Sequence, residues 1–194
     1  MDLAYGELLI PGIVLAIIIV IAVYLVSIFN RLLRLQNAAD ANLSQIEVAM
    51  KKRLDMIDQL LGAVKGYVRY EKDVFKTVTE LRSRITRGGA GELEDVDRQS
   101  RSIFSAITAI AEDYPDLKAD QTVQRLMDAI ISVEDEIARH RYTYNNIVQE
   151  FNTMRDTIPS SFIASAIGTE DLTYLEFEEE VEKAPIIEGI SENE

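Results

Sequence analysis

The chain contains no cysteine and no tryptophan, and only one histidine and four prolines among its 194 residues. Without cysteine there is no disulfide framework, no thiolate zinc site, no iron–sulfur centre and no thiol nucleophile. A single histidine argues against a multi-histidine metal site or a conventional catalytic triad within one chain. Base is scarce as well: 20 Lys and Arg stand against 33 Asp and Glu, a formal net charge of −13. Contact with nucleic acid needs clustered base to neutralise phosphate, so that class of partner is not expected. Neither a dinucleotide fingerprint, nor an HExxH helix, nor a serine in a nucleophile motif occurs, so no cofactor or metal is expected.

The mean hydropathy is near zero although 27% of residues are charged, which points to unlike segments rather than an even mixture. Residues 1–30 hold two acids and no base, and residues 31–167 hold 21 acids and 19 bases. Residues 168–194 hold ten acids and one base, Lys183. Most of the excess negative charge therefore belongs to the last 27 residues. The body is nearly neutral.

From Leu8 to Phe29 the chain reads LLIPGIVLAIIIVIAVYLVSIF, 22 residues without a charge. At a rise of about 1.5 Å per residue such a helix crosses a hydrocarbon core of ~30 Å, and Leu8, Ile13, Ile17, Ile21, Leu25 and Phe29 mark its course. A cleaved signal peptide is not expected, since the leading residues are acidic and no small-x-small site follows. Asp2 and Glu7 precede the run, whereas Arg31, Arg34, Lys51, Lys52 and Arg53 follow it. That asymmetry places the N-terminus outside the cell membrane and the C-terminal part in the cytoplasm. Gly12 and Ala16 form one small-xxx-small pair, a weak dimerisation signal.

No proline occurs between Pro11 and Pro115, and the first strong break is Gly88-Gly89. The spacing predicts one helix that leaves the membrane and continues to about Ile85. Leu43, Met50, Ile57, Val64, Val78 and Ile85 fall on a seven-residue repeat, with Ile46, Leu60, Tyr67, Val74 and Leu81 at the second seam position. Arg53 and Glu71 interrupt this seam and are expected at its edge or paired with a neighbour. Gly62 and Gly66 each lower helix propensity by roughly 1 kcal/mol relative to alanine. Arg87–Gly91 lacks the preceding strand and following Lys-Ser/Thr of a phosphate loop and reads as a turn. A second helix is expected over about 92–113, with Leu93, Val96, Ile103, Ile107 and Ile110 on one stripe. A third, capped by Asp120, runs over about 121–157. Its seam comprises Val123, Leu126, Ile130, Val133, Ile137, His140, Tyr144, Ile147, Phe151, Met154 and Ile158. A short fourth helix fills 160–167. The fold class is all-α: a transmembrane helix continuous with a long antiparallel bundle of three long helices plus a short fourth, then an acidic tail.

Candidate chemistry is sparse. His140 sits on the apolar seam, where a packed histidine is commoner than a catalytic one. Glu134, Asp135 and Glu136 point about 100° apart on a helix and do not converge on one ion. An enzyme built on Glu134, His140 and Tyr144 is the least favoured reading. Asn145 and Asn152, seven apart, share a face beside the seam. There they either form hydrogen bonds that fix register or face solvent. Residues 173–182 read either as a strand alternating Leu175, Phe177 and Val181 with glutamates or as an amphipathic turn of helix.

Two stretches carry a resemblance. Tyr114, Pro115, Leu117, Lys118 and Ala119 match a Tyr-Pro-x-Leu-Lys-Ala pattern, and Arg141, Tyr144, Asn145, Val148 and Asn152 match Arg-x-x-Tyr-Asn-x-x-Val-x-x-x-Asn. With Asn37, Ser44-Gln45-Ile46, Arg53, Asp55, Ile57, Val64–Tyr67, Glu71-Lys72, Pro159, Ile163-Ala164 and Gly168, the chain resembles the LemA family over nearly its whole length. It departs from the family pattern at Leu43, Leu54, Asp58 and Tyr70. The resemblance implies a membrane-anchored helical bundle with a cytoplasmic domain and no established enzymatic activity.

These readings divide the chain into an extracytoplasmic N-terminus (1–7), a transmembrane helix (8–29), a cytoplasmic bundle (30–168) and an acidic tail (169–194). The leading functional expectation is a non-enzymatic scaffold that self-associates into a homo-oligomer at the membrane. Tyr114, Pro115, Lys118, Arg141, Tyr144, Asn145 and Asn152 are its candidate packing or assembly residues. The alternative is an adaptor that recruits a protein partner, for example a protease, through the bundle and residues 169–194.

Overall fold

Uninterrupted apolar and amphipathic sequence from the N-terminus gives one 63-residue helix, α1 (Asp2–Val64), roughly 95 Å long at 1.5 Å per residue. The structure is a computed structural model, described over residues 2–65, 72–85 and 90–176. After α1 come α2 (Lys72–Ile85), α3 (Ala90–Asp113), α4 (Pro115–Lys118), α5 (Gln121–Asp156) and α6 (Ser160–Ile167). Among the described residues there is no strand. The all-α reading holds.

The expected single helix through Ile85 is corrected: α1 stops at Val64 and α2 begins at Lys72. The seam repeats on both sides of this break because α2 folds back and buries its own repeat against α1. Lys65 lies over the Phe75 ring at 5.9 Å, while Asp55 pairs with Arg82 at 2.5 Å, an antiparallel order. Val78, Leu81 and Ile85 are buried together with Met50, Ile57, Leu60 and Val64. A heptad seam needs a partner, and here the chain supplies it. Gly62, close to the break, weakens the helix locally. Tyr67 and Glu71 lie outside the described residues.

α3 returns along α2, tied by Arg84 to Glu92 (2.9 Å) and Asp95 (2.6 Å). At Tyr114 the backbone is extended, and Pro115 opens α4 at its first helical position, where a missing amide costs nothing. Asp120 then caps α5, its carboxylate accepting from the amides of Thr122 (2.7 Å) and Val123 (3.2 Å). α5 runs antiparallel to α1, with Lys52–Glu136 at one level (3.3 Å) and Arg31–Glu150 nearer the apolar run (2.6 Å). α5 therefore covers most of the α1 seam beyond the span.

Two apolar clusters result. The larger joins α1, α2, α3 and α5 with Leu117 and Leu175. The smaller joins Ile28 and Leu32 of α1 to Phe151 of α5 and Ala164 of α6. On α5, Val148 joins the buried set that the seam predicts, and Ile158 leaves it, being 78% exposed. α5 ends at Asp156, so the helical period no longer governs Ile158. His140 is only half-buried rather than packed on the seam, because Ile137 and Tyr144 take the inward positions.

Candidate functional site

The residues that the sequence marks as special lie in two places at opposite ends of α5. Tyr114, Pro115 and Lys118 form the turn that feeds α5, with Leu117 buried and the Lys118 carbonyl accepting from the Gln124 side chain at 2.8 Å. Tyr144, Asn145 and Asn152 lie 24 to 32 positions beyond Asp120, about 36–48 Å away along the helix. Arg141, half-buried, is one turn before Asn145. No single constellation unites the two groups.

The second group holds the tail. Gly168 ends α6 in the left-handed region, φ 68° and ψ 34°, which reverses the chain so that it climbs back along α5. Arg155 Nε donates to the Thr169 carbonyl at 3.1 Å, and its guanidinium also pairs with Asp171. Asn152 donates to the Leu172 carbonyl (2.9 Å) and accepts from the Leu172 amide (3.0 Å). Asn145 does the same at Leu175, at 3.0 and 2.9 Å. Between them the buried Tyr144 hydroxyl donates to the Thr173 carbonyl at 3.0 Å. Seven helical residues cover about 10.5 Å, so three tail residues must cover it at nearly full extension, about 3.5 Å each. This settles the register: each asparagine serves one tail residue as a neighbouring strand would. Leu175 is thereby lodged in the core, 2% exposed. Burial, with the Asp40 carboxylate nearby, pushes the Tyr144 phenol above its ordinary value.

A second site lies where α1, α3 and α5 meet. Arg53, fully buried, occupies a seam position on α1. Its Nη2 donates to Ser100 Oγ (2.5 Å) and to the Asp97 carbonyl (3.4 Å), and lies 2.7 Å from Asp97 Oδ1. Nη1 is 3.8 Å from Glu134. Arg101 holds the other Asp97 oxygen at 2.8 Å. Among the described residues, Nε and Nη1 of Arg53 have no hydrogen-bond acceptor. The interrupted seam thus resolves as a buried ion pair; Asp97 was readable as the acid one turn beyond Leu93 on the apolar stripe of α3. Above it opens a groove of about 830 Å³ lined by Glu94, Asp97, Arg101, Phe104, Glu134 and Glu176. Three carboxylates, Glu94, Glu134 and Glu176, line its open side, while Asp97 at its floor is buried. Among the described residues, no group of His, Cys, Asp or Glu is arranged to hold a metal ion.

Ile13, Ile17, Ile21, Leu25 and Phe29 are all exposed on α1, between 39% and 59%. Among the described residues one helix is long and apolar enough to cross a membrane, and it is this one. The fold is therefore a helical bundle carried on a membrane-length N-terminal helix, with residues 169–175 strapped along the last long helix.

The chain belongs to the LemA family, whose model matches residues 42–188. Protein LemA of Metamycoplasma hominis is 29% identical over 140 residues, covering 71% of this chain and 64% of that protein. The chain thus spans somewhat less than two thirds of that relative. Magnetosome protein MamQ 2 of Paramagnetospirillum magneticum is 21% identical over 201 residues, covering 90% of this chain and 73% of the relative. Magnetosome protein MamQ of Magnetospirillum gryphiswaldense is 21% identical over 173 residues, covering 75% and 64%. The candidate span and these relatives fit a membrane protein.

Proposed function

We propose that the protein is a non-enzymatic, membrane-anchored helical scaffold that self-associates into a homo-oligomer at the cytoplasmic face. The observation that carries this reading is the continuity of α1, which makes the membrane span and the central bundle helix one rigid rod. Large apolar side chains also face outward from the bundle. Leu33 and Val48 do so on α1, at 46% and 65% exposure, and Ile131 and Tyr142 on α5, at 51% and 71%. Eleven residues return an α-helix to within about 20° of its starting face, so Ile131 and Tyr142 lie on one stripe. Outward apolar residues of this kind favour packing between copies. The basic flank at Arg31 and Arg34 supports a cytoplasmic bundle. The absence of enzymatic activity is supported by the names of the relatives, none of which denotes an enzyme.

Native mass spectrometry of the full chain in lipid nanodiscs tests the scaffold reading. Assemblies of several copies are expected, and a clean monomer at micromolar concentration overturns it.

The groove beside Glu176 favours an adaptor as the second reading, since it brings the start of the acidic segment to a cleft between α3 and α5. Thr169, Leu172, Thr173 and Leu175 are bonded to α5 and the Glu176 amide to Glu94 of α3, so recruitment of a partner is assigned to the residues that follow. Deletion of 177–194 is expected to abolish recruitment while leaving the assembly intact; loss of the assembly instead argues for an intersubunit role.

A further inference from the structure

After the membrane run, the longest stretch without a charged residue is Thr157–Thr169, thirteen residues containing α6. The topology puts this stretch at one particular place. α1 carries the chain out of the apolar run, and α5 comes back antiparallel to it. The strap from Thr169 onward climbs away again, since Leu172 pairs with Asn152 and Leu175 with Asn145. Residues 157–168 are thus the turning point of the chain at the end of the bundle nearest the apolar run.

The height of that turn is set by packing. Ala164 of α6 and Phe151 of α5 are buried against Ile28 and Leu32. Ile28 belongs to the uncharged run, whereas Leu32 follows its first arginine. The cluster therefore straddles the level at which α1 passes from apolar to charged surroundings. Past Phe151, five further residues carry α5 about 7–8 Å closer to the membrane before Ile158 is reached. There Ile158 is 78% exposed and Phe162 69%, the two most exposed large apolar residues outside the early part of the span apart from Tyr142. Ile167, at the end of α6, is 42% exposed, while Ser160 and Ala164 face the protein.

The geometry points to α6 as an interfacial anchor that inserts Ile158 and Phe162 into the phospholipid bilayer beside the span. The inference rests on the membrane reading of α1 and extends it. The bundle then meets the membrane through two elements, the span and α6, which fixes its rotation about the α1 axis. An uncharged helix with an exposed aromatic and aliphatic face suits the boundary between headgroups and acyl chains. Glu170 and Asp171 lie where the chain turns upward, so the surface matched is a zwitterionic rather than a strongly anionic one.

The natural absence of tryptophan makes a direct test available. Three full-length variants, Phe162→Trp, Tyr142→Trp and Ile17→Trp, each carry a single tryptophan at an exposed position. They are reconstituted in phosphatidylcholine vesicles with and without bromine-labelled acyl chains. Ile17→Trp reports on the span, and Tyr142→Trp reports on the bundle some 20 Å or more along α5 from its membrane end. Phe162→Trp is expected to show blue-shifted emission and strong quenching by lipid brominated near the headgroup, with Tyr142→Trp unquenched. Quenching of Ile17→Trp but not of Phe162→Trp overturns the α6 anchor and leaves the span standing. No quenching of Ile17→Trp overturns both. A blue shift of Phe162→Trp without bromolipid quenching shows that a second copy, not lipid, covers the face, and also overturns the anchor.

Discussion

Asn145 and Leu175 bond each other twice: the side-chain amide donates to the Leu175 carbonyl at 3.0 Å, and the Leu175 amide donates back to Oδ1 at 2.9 Å. Only an uncharged amide supplies a donor and an acceptor in one plane, as a neighbouring strand does. Aspartate at this position keeps the acceptor but sets an anion against a carbonyl oxygen. Asn145→Asp is therefore expected to release the strap around Leu175 while the helices stay folded. Leaving a partly buried amide or carbonyl unpaired costs about 1–3 kcal/mol. Hydrogen exchange at the Leu175 amide is then expected to speed up by roughly 5- to 150-fold, with little change at Leu172. Asn152→Asp should reverse that pattern. Equal effects at both amides would show instead that the strap opens as one unit.

The buried Arg53–Asp97 pair makes a second prediction, because its two members are not equivalent to any surface pair. Both side chains lie at or below 3% exposure. Removing one partner leaves the other charge buried without compensation, a loss of about 3–5 kcal/mol. Asp97→Ala is expected to lose stability on this scale by urea denaturation, the loss being tempered by relaxation of Arg101. Replacing both partners together, as Arg53→Met with Asp97→Leu, is expected to recover most of it, since apolar isosteres often match a buried pair. A double-mutant cycle reads the difference. Additive losses would mean that Ser100 and the Asp97 carbonyl, rather than the carboxylate, hold Arg53.

Much of this fold is legible from residue types alone, for reasons that differ by element. The seam residues from Leu43 to Ile85 announce burial because a seven-residue apolar repeat has no other stable use. The same repeat says nothing about where its partner comes from, so the fold-back of α2 on α1 is hidden in it. Arg53 on that seam signals a buried partner, and Asp97 answers it from the α3 stripe. Asn145 and Asn152 are legible as a pair by their spacing. What they hold is not, because the strap has no periodicity of its own and derives its conformation from the helix it lies on. Ile158 continues the α5 period on paper only. The helix ends before it, and an end is set by local backbone geometry rather than by hydropathy.

Stability at low pH should depend on the α5 cap. The amides of Val123 and Thr122 hold the Asp120 carboxyl below its ordinary value of 3.8. Arg84 and Arg98 do the same for Asp95. A group whose pKa is lower in the folded state than in the unfolded one stabilises fully above the ordinary value. The contribution fades as pH falls through the folded value. The acid limb of a thermal-denaturation profile is therefore expected below about pH 4, near the reference range for aspartate. Asp120→Asn keeps an N-cap acceptor but cannot titrate, so it should flatten part of that limb while changing stability little at pH 7. An unchanged limb would assign acid sensitivity to Asp95 and its arginines. At the alkaline end the sign is opposite. The Tyr144 phenol is raised by burial, so its contribution is complete below the ordinary tyrosine value and is lost as pH climbs through the folded one.

One substitution made at two glycines should give effects of opposite sign. Gly62 lies inside α1 and Gly168 closes α6, and an added Cβ meets nothing within 4 Å at either place. Space is thus equal, and only the backbone differs. In a helix interior alanine is favoured over glycine by roughly 0.5–1 kcal/mol, so Gly62→Ala is expected to raise the Tm. Gly168 has φ 68°, and an L-residue in the left-handed region costs about 1–2 kcal/mol. Gly168→Ala should therefore lower the Tm. It should also loosen Thr169, whose amide donates back to the Ala164 carbonyl at 3.1 Å and starts the strap. If Gly168→Ala were silent, the chain reversal would not depend on a left-handed residue, and the Arg155 contacts to Thr169 and Asp171 would be what turns the strap.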